Sequence, residues 1–167
     1  DGNVFIRRAA WRSLAKVNWT SFQAQAATLA GDVSPRLREL LPMSYDNDAT
    51  GLQVIFGEKD QKDEEHVYTS NVRARSPTPE ALEVLRKLAE DEDGEVRLHA
   101  MLTLLRSRQP VDPVVLRSAC SALSGEKRIR YLLESFLSSH WRQLDERYAF
   151  MLDYGDETDG DRDEMVA

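Results

Sequence analysis

The stretch DGEVRLHAMLTLL, Asp93 to Leu105, has a partial copy at the start of the chain, DGNVFIRRAAWRSL, Asp1 to Leu14. Both begin with Asp-Gly and both contain an apolar-Arg pair. Ile6-Arg7 is followed by Ala10 and Leu14; Val96-Arg97 is followed by Ala100 and Leu104. The frame recurs at Leu37-Arg38 with Leu41, and at Ile129-Arg130 with Leu133 and Leu137. The four arginines at 7, 38, 97 and 130 are spaced by 31, 59 and 33 residues. Two intervals are near 30 and one is near twice that, so one interval holds an insertion. A recurrence of this length marks an architecture of stacked repeats.

Each frame is preceded by a second helical pattern. In TPEALEVLRKLAED, Ala81, Leu82, Leu85, Leu88 and Ala89 share a stripe, with Thr78 placed to cap and Pro79 to start the helix. DPVVLRSACSAL repeats the logic with Asp112, Pro113 and the stripe Val115, Leu116, Ala119 and Leu123. SFQAQAATLAGD is a weaker version, with Ser21 as the cap and Gly31 as the stop. The unit is helix, short turn, helix. One such hairpin cannot bury its apolar faces alone, whereas a stack of them forms a continuous core.

The run LAEDEDGEVRLHAMLTLL, Leu88 to Leu105, carries an acid-rich turn, then apolar-Arg, then Ala. In this it resembles the HEAT repeat family, most closely the short bacterial HEAT-like repeats also found in phycobilin lyases. The match is good over residues 78–105 and fair over 1–43 and 112–139. It is absent from 44–77 and after 153. The second unit departs from the pattern, with Pro35 near its arginine and no Ala in the frame. The resemblance implies an all-α fold, an α-solenoid of antiparallel helical hairpins. It also implies a ladder of Arg7, Arg38, Arg97 and Arg130 paired with Asp32, with Asp91 or Asp93, and with Glu126. On this reading the Asp1-Gly2 opening is a turn within a repeat whose first helix is missing, and the chain is the C-terminal fragment of a longer solenoid. Trp11, Trp19 and Phe22 are then expected to be partly exposed.

These patterns divide the chain into HEAT-like repeats over 1–43 and 78–139, an insertion over 44–77, a capping helix over 140–153 and an acidic tail over 154–167. The insertion contains LQVIF and HVYTSNVRAR on either side of a charged run. It reads either as an irregular loop or as a long-looped β-hairpin. A break in the last long helical pattern is expected near Ser138-Ser139. The tail is poor in apolar residues and rich in acids, a composition of disordered segments.

The 167 residues carry a net charge of -7. From Asp153 onward, seven acids and one arginine give -6, whereas residues 1–45 give +3. Net acidity disfavours non-specific nucleic-acid binding but permits a local basic face. The single cysteine, Cys120, lies in an apolar helical stripe and reads as a buried, inert thiol. His66, His99 and His140 lack metal-ligand spacing. DGDRDE, Asp159 to Glu164, echoes the start of a calcium loop but has Glu164 where the turn needs glycine. No apolar run reaches the length of a membrane span; no targeting segment is present in this chain, which begins at Asp1, so the compartment stays unassigned, with the cytoplasm only as a default.

These features predict a non-catalytic protein–protein interaction scaffold with no cofactor and no metal, whose partner is a protein or peptide. The alternative is a HEAT-like DNA-binding protein or DNA glycosylase using the basic N-terminal face. A tetrapyrrole enzyme of the bilin-lyase kind is a third class, with only the repeat to favour it. Three groups are candidates for partner contact: His99, Thr103 and Arg106 on a concave row; Arg8, Arg12 and Lys16 beside them; and Tyr68, Arg73 and Arg75 in the insertion.

Overall fold

The computed structural model describes residues 2–45, 75–140, 142 and 144–154. Among them the regular structure is helical throughout. In chain order the helices are α1 (Val4–Val17), α2 (Trp19–Ala24), α3 (Ala26–Ala30), α4 (Pro35–Arg38) and α5 (Leu40–Ser44), then α6 (Pro79–Leu88), α7 (Gly94–Arg106), α8 (Pro113–Ala122) and α9 (Lys127–His140). A 3-10 segment, Glu146–Tyr154, follows. No described helix is long and apolar enough to cross a membrane. The β-hairpin reading of the insertion falls almost wholly on 46–74, outside the described residues.

The helix starts follow local chemistry. Thr78 and Asp112 accept hydrogen bonds from Ala81 N and Val114 N, each with proline at the first helical position. Asn18, not Ser21, caps α2; its carboxamide oxygen accepts from Ser21 N. Pro42 has no N–H to give the Arg38 carbonyl, and the helix is interrupted at Glu39, between α4 and α5.

The arginine frame has a fixed local geometry. In all four copies the backbone N–H of the arginine donates to the carbonyl four residues earlier, at 3.1 Å: Arg7 to Asn3, Arg38 to Ser34, Arg97 to Asp93 and Arg130 to Glu126. Asn3 and Asp93 also cap their helices through side-chain oxygens. Asn3 is therefore the counterpart of Asp93, and the Asp-Gly shared by the two stretches is out of register by two residues. Two places before the cap, Asp32 and Asp91 each fold back onto a turn amide, Ser34 N at 2.8 Å and Asp93 N at 2.9 Å.

Two apolar clusters make up the core, and α7 lies between them. Val96, Ala100 and Leu104 join the cluster of α1 to α6; Leu98, Met101 and Leu102 join the cluster of α8, α9 and the 3-10 segment. A helix that is apolar on several sides is buried on several sides. α1 to α4 and α5, α5 to α7, and α7 to α9 are packed neighbours, as are α3 and α6. The frame positions Leu37, Val96 and Ile129 are fully buried, whereas Ile6 on α1 is 54% exposed.

Three expectations need correction here. Phe22 is buried, in edge-on contact with Trp11 and stacked on Trp19; only the two tryptophans are partly exposed. α9 continues past Ser138-Ser139 to His140. The expected capping helix is a 3-10 segment beginning at Glu146, tied to α8 by a Tyr154–Ser121 hydroxyl contact of 2.6 Å and to Val111 O by the Tyr148 hydroxyl at 2.7 Å.

Candidate functional site: arginines around a buried glutamate

The frame arginines connect successive turns. Arg7 Nη1 donates to Asp32 Oδ2 at 2.7 Å. Arg38 Nη1 donates to the Asp32 and Val33 carbonyls of its own turn, while Nε and Nη2 fork onto Asp91 of the next turn, both at 2.8 Å. Arg97 Nη1 donates to the Asp91 and Glu92 carbonyls. Asp91 is thus the acid that pairs, and Asp93 serves as the helix cap. The fourth turn has Ser124 where Asp32 and Asp91 stand, and Glu126 occupies the cap position with an exposed side chain. Glu126 therefore takes its place in the repeat as a cap carbonyl for Arg130, not as a carboxylate partner of Arg97.

A second set of charges sits beside this ladder. Two places before the frame arginine stand Phe5, Arg36, Glu95 and Arg128; one place after it stand Arg8, Glu39, Leu98 and Tyr131. Glu39 is the centre of the set and is only 3% exposed. Its Oε1 accepts from Arg128 Nη2. His99 Nε2 lies 3.0 Å from the same oxygen. Arg128 Nη1 also pairs with Glu95 Oε2 at 2.7 Å. Burial pushes the Glu39 carboxyl up, but His99 and Arg128 outweigh it and hold the pKa at about 2. Glu95 moves the other way: burial and the nearby Glu39 charge raise it despite Arg128.

Arg8, on α1, completes the cluster. It is half-buried, and desolvation together with the like charges of Arg12, Arg128 and Arg36 lowers its pKa, with Glu39 the one attractive influence. Arg8, Arg12 and Arg36 have no hydrogen bond or ion pair among the described residues. One locality thus receives charged side chains from α1, α4, the Glu39 junction, α7 and α9.

The expected concave row is largely overturned. Thr103 is 1% exposed, and its hydroxyl donates to the carbonyls of Pro42 and His99. His99 is buried against Glu39. Arg106 is half-buried, with its guanidinium 5.2 Å from the Phe136 ring centroid. The reason is that α7 has packed neighbours on both sides, so the face opposite Val96, Ala100 and Leu104 meets more protein, not solvent. Lys16 is exposed. Arg75 stacks over Trp19 at 4.4 Å and reaches the Ala15 carbonyl at 3.4 Å, which makes it a cover for the aromatic cluster. Tyr68 and Arg73 lie outside the described residues, as do His66 and Asp159 to Glu164.

The reading of the sequence missed Glu39, Arg128, Arg36 and Glu95. The available signal was their shared position in the repeat, two before or one after the frame arginine. Cys120 is fully buried, and burial pushes its thiol up to about 11, which makes it a poor nucleophile at neutral pH. Among the described residues no group of three or more potential metal ligands occurs. Comparison of the chain with protein-family models, with curated proteins and with solved structures finds no significant match.

Proposed function

We propose that the chain is a HEAT-like α-solenoid that acts as a non-catalytic scaffold and binds a protein partner across the helices that carry the arginine frame. The observation that carries this reading is the convergence of equivalent repeat positions on one place. Phe5, Arg36, Glu95 and Arg128 share one position and Arg8, Glu39, Leu98 and Tyr131 another, and the five charged members of the eight, Arg8, Arg36, Glu39, Glu95 and Arg128, form the cluster. Repeats stacked in register bring equivalent positions into a row, and such a row is a long surface fixed at low entropic cost. The Arg7–Asp32 and Arg38–Asp91 contacts support the same register, since each runs from one turn to the next.

The nucleic-acid alternative has weaker support. Single-stranded nucleic acid is usually held by exposed aromatic rings above a basic groove. Trp11 and Trp19 are engaged with Phe22, and Arg75 covers Trp19.

The test is affinity capture from an extract of the source cells, comparing wild type with Arg8→Glu/Arg12→Glu, each variant checked for native helicity by circular dichroism. A protein retained by wild type and lost by the variant is expected. Identical retention by both would refute the surface, and loss of the captured material on nuclease treatment would favour the alternative.

A further inference from the structure

We infer that Arg8, Arg12, Arg36 and Arg128 form a binding site for the carboxylates of an acidic peptide segment on the partner protein. The inference rests on the scaffold reading above and names the chemistry of its contact surface. Glu39 and Glu95, with Glu126 acting on Arg128 from further off, do not neutralise the four arginines and His99. Glu39 Oε1 pairs with Arg128 and has His99 against it; Glu95 pairs with the second Arg128 nitrogen. Arg8, Arg12 and Arg36 are left without a hydrogen bond or ion pair among the described residues, although Arg8 is already half-buried.

Arg8 and Arg12 stand one turn apart on α1, which packs against α4, the helix that carries Arg36; a guanidinium partly out of water beside like charges is in an unfavourable state that an incoming anion relieves. The lowered pKa of Arg8, caused by desolvation and then by Arg12, with further repulsion from Arg128 and Arg36, reports the same imbalance. Arg8, Arg12 and Arg36 each offer a planar fork of donors that matches a carboxylate, and Arg128, engaged by Glu39 and Glu95, backs them. Arg128 is fixed by two acids, and Glu39 by burial, so the rear of the site is pre-organised before any ligand arrives.

Carboxylates on a peptide fit this arrangement better than a nucleic acid. The arginines are interleaved with acids, Glu39 and Glu95 among them and Glu126 nearby, and do not form a continuous basic stripe. A polyphosphate backbone laid across it would meet the Glu95 carboxylate, which is about a quarter exposed. Separate Asp and Glu side chains can reach the individual arginines and avoid it.

The experiment uses fluorescein-labelled hexaglutamate, followed by fluorescence anisotropy at low ionic strength with the full chain. Saturable one-to-one binding is expected, abolished at about 1 M salt, where screening acts over only about 3 Å. Arg8→Glu/Arg12→Glu should weaken it by about tenfold or more. Because Arg8 is half-buried, Arg12→Glu/Arg36→Glu is the second variant and should weaken it similarly. Lys87→Glu, an exposed charge reversal on α6, controls for net charge and should leave affinity within about twofold. Absence of saturable binding, or equal loss in Lys87→Glu, overturns the inference. So does tighter binding of single-stranded DNA that is lost in the same arginine variants. If hexaglutamate does not bind but capture from extract still depends on Arg8 and Arg12, the acidic chemistry is wrong and the scaffold stands. If both fail, the scaffold surface is wrong as well.

Discussion

Arg38 grips Asp91 with two parallel hydrogen bonds of 2.8 Å across 53 residues of sequence, and both side chains are nearly excluded from water. The same guanidinium closes its own turn through the Asp32 and Val33 carbonyls. One side chain therefore ties two turns that lie on either side of the insertion.

Removing either member strands the other inside the protein. Arg38→Ala or Asp91→Ala should each lower stability by about 3–5 kcal/mol. Arg7–Asp32 is more exposed, at 29% and 14% for the two side chains, and Arg7→Ala should cost about 1 kcal/mol. Chemical denaturation of the single variants and of Arg38→Ala/Asp91→Ala gives the comparison. The double variant should lose less than the sum of the two singles.

Glu39 sets a pH dependence. Its folded pKa of about 2 lies below the ordinary 4.5. A depressed carboxyl stabilises the fold above its unfolded value, and that contribution is lost as pH falls toward the folded value. The stabilisation is thus fully present above about pH 5 and declines between about 4.5 and 2. Its size is on the order of 3 kcal/mol. Glu39→Gln should lower stability at pH 7 and flatten this acid limb in urea titrations at a series of pH values.

Thr103 tests the corrected view of α7. Thr103→Glu places a charge among the Pro42 and His99 carbonyls and should destabilise by more than about 4 kcal/mol. Thr103→Val removes only the hydroxyl bonds and should cost about 1–2 kcal/mol. A folded Thr103→Glu of wild-type stability would restore the solvent-facing row.

Arg108 has φ 57°, the left-handed region. It follows the C-cap of α7, where Gln109 N bonds to Leu104 O and Arg108 N to Leu105 O, both at 2.9 Å. This is the helix stop that glycine usually fills. Arg108→Gly should therefore raise stability by about 1 kcal/mol, seen as an increase of a few degrees in Tm.

Much of the helical framework is legible in the sequence because its causes are local. Thr78-Pro79 and Asp112-Pro113 set helix starts within three residues, and the frame arginines bond four residues back. The Glu39 cluster is different. Glu39, Glu95, His99 and Arg128 meet only after helices distant in sequence pack, and no local pattern announces that an acid will be buried. The outward reading of His99 and Thr103 fails for a related reason. Helical periodicity identifies one apolar face, but it does not reveal how many neighbours a helix has. The mistaken Asp-Gly register shows that identical dipeptides mislead where the hydrogen-bonded cap, Asn3 against Asp93, does not.

The contact surface is mapped most directly by nuclear magnetic resonance of the isotope-labelled protein during titration with hexaglutamate. Backbone amide shifts should saturate and concentrate on α1, the α4–α5 junction and the start of α9, with the Nε resonances of Arg8, Arg12 and Arg36 among the most perturbed. Shifts centred on α6 or α8, or changes that never saturate, would contradict the account.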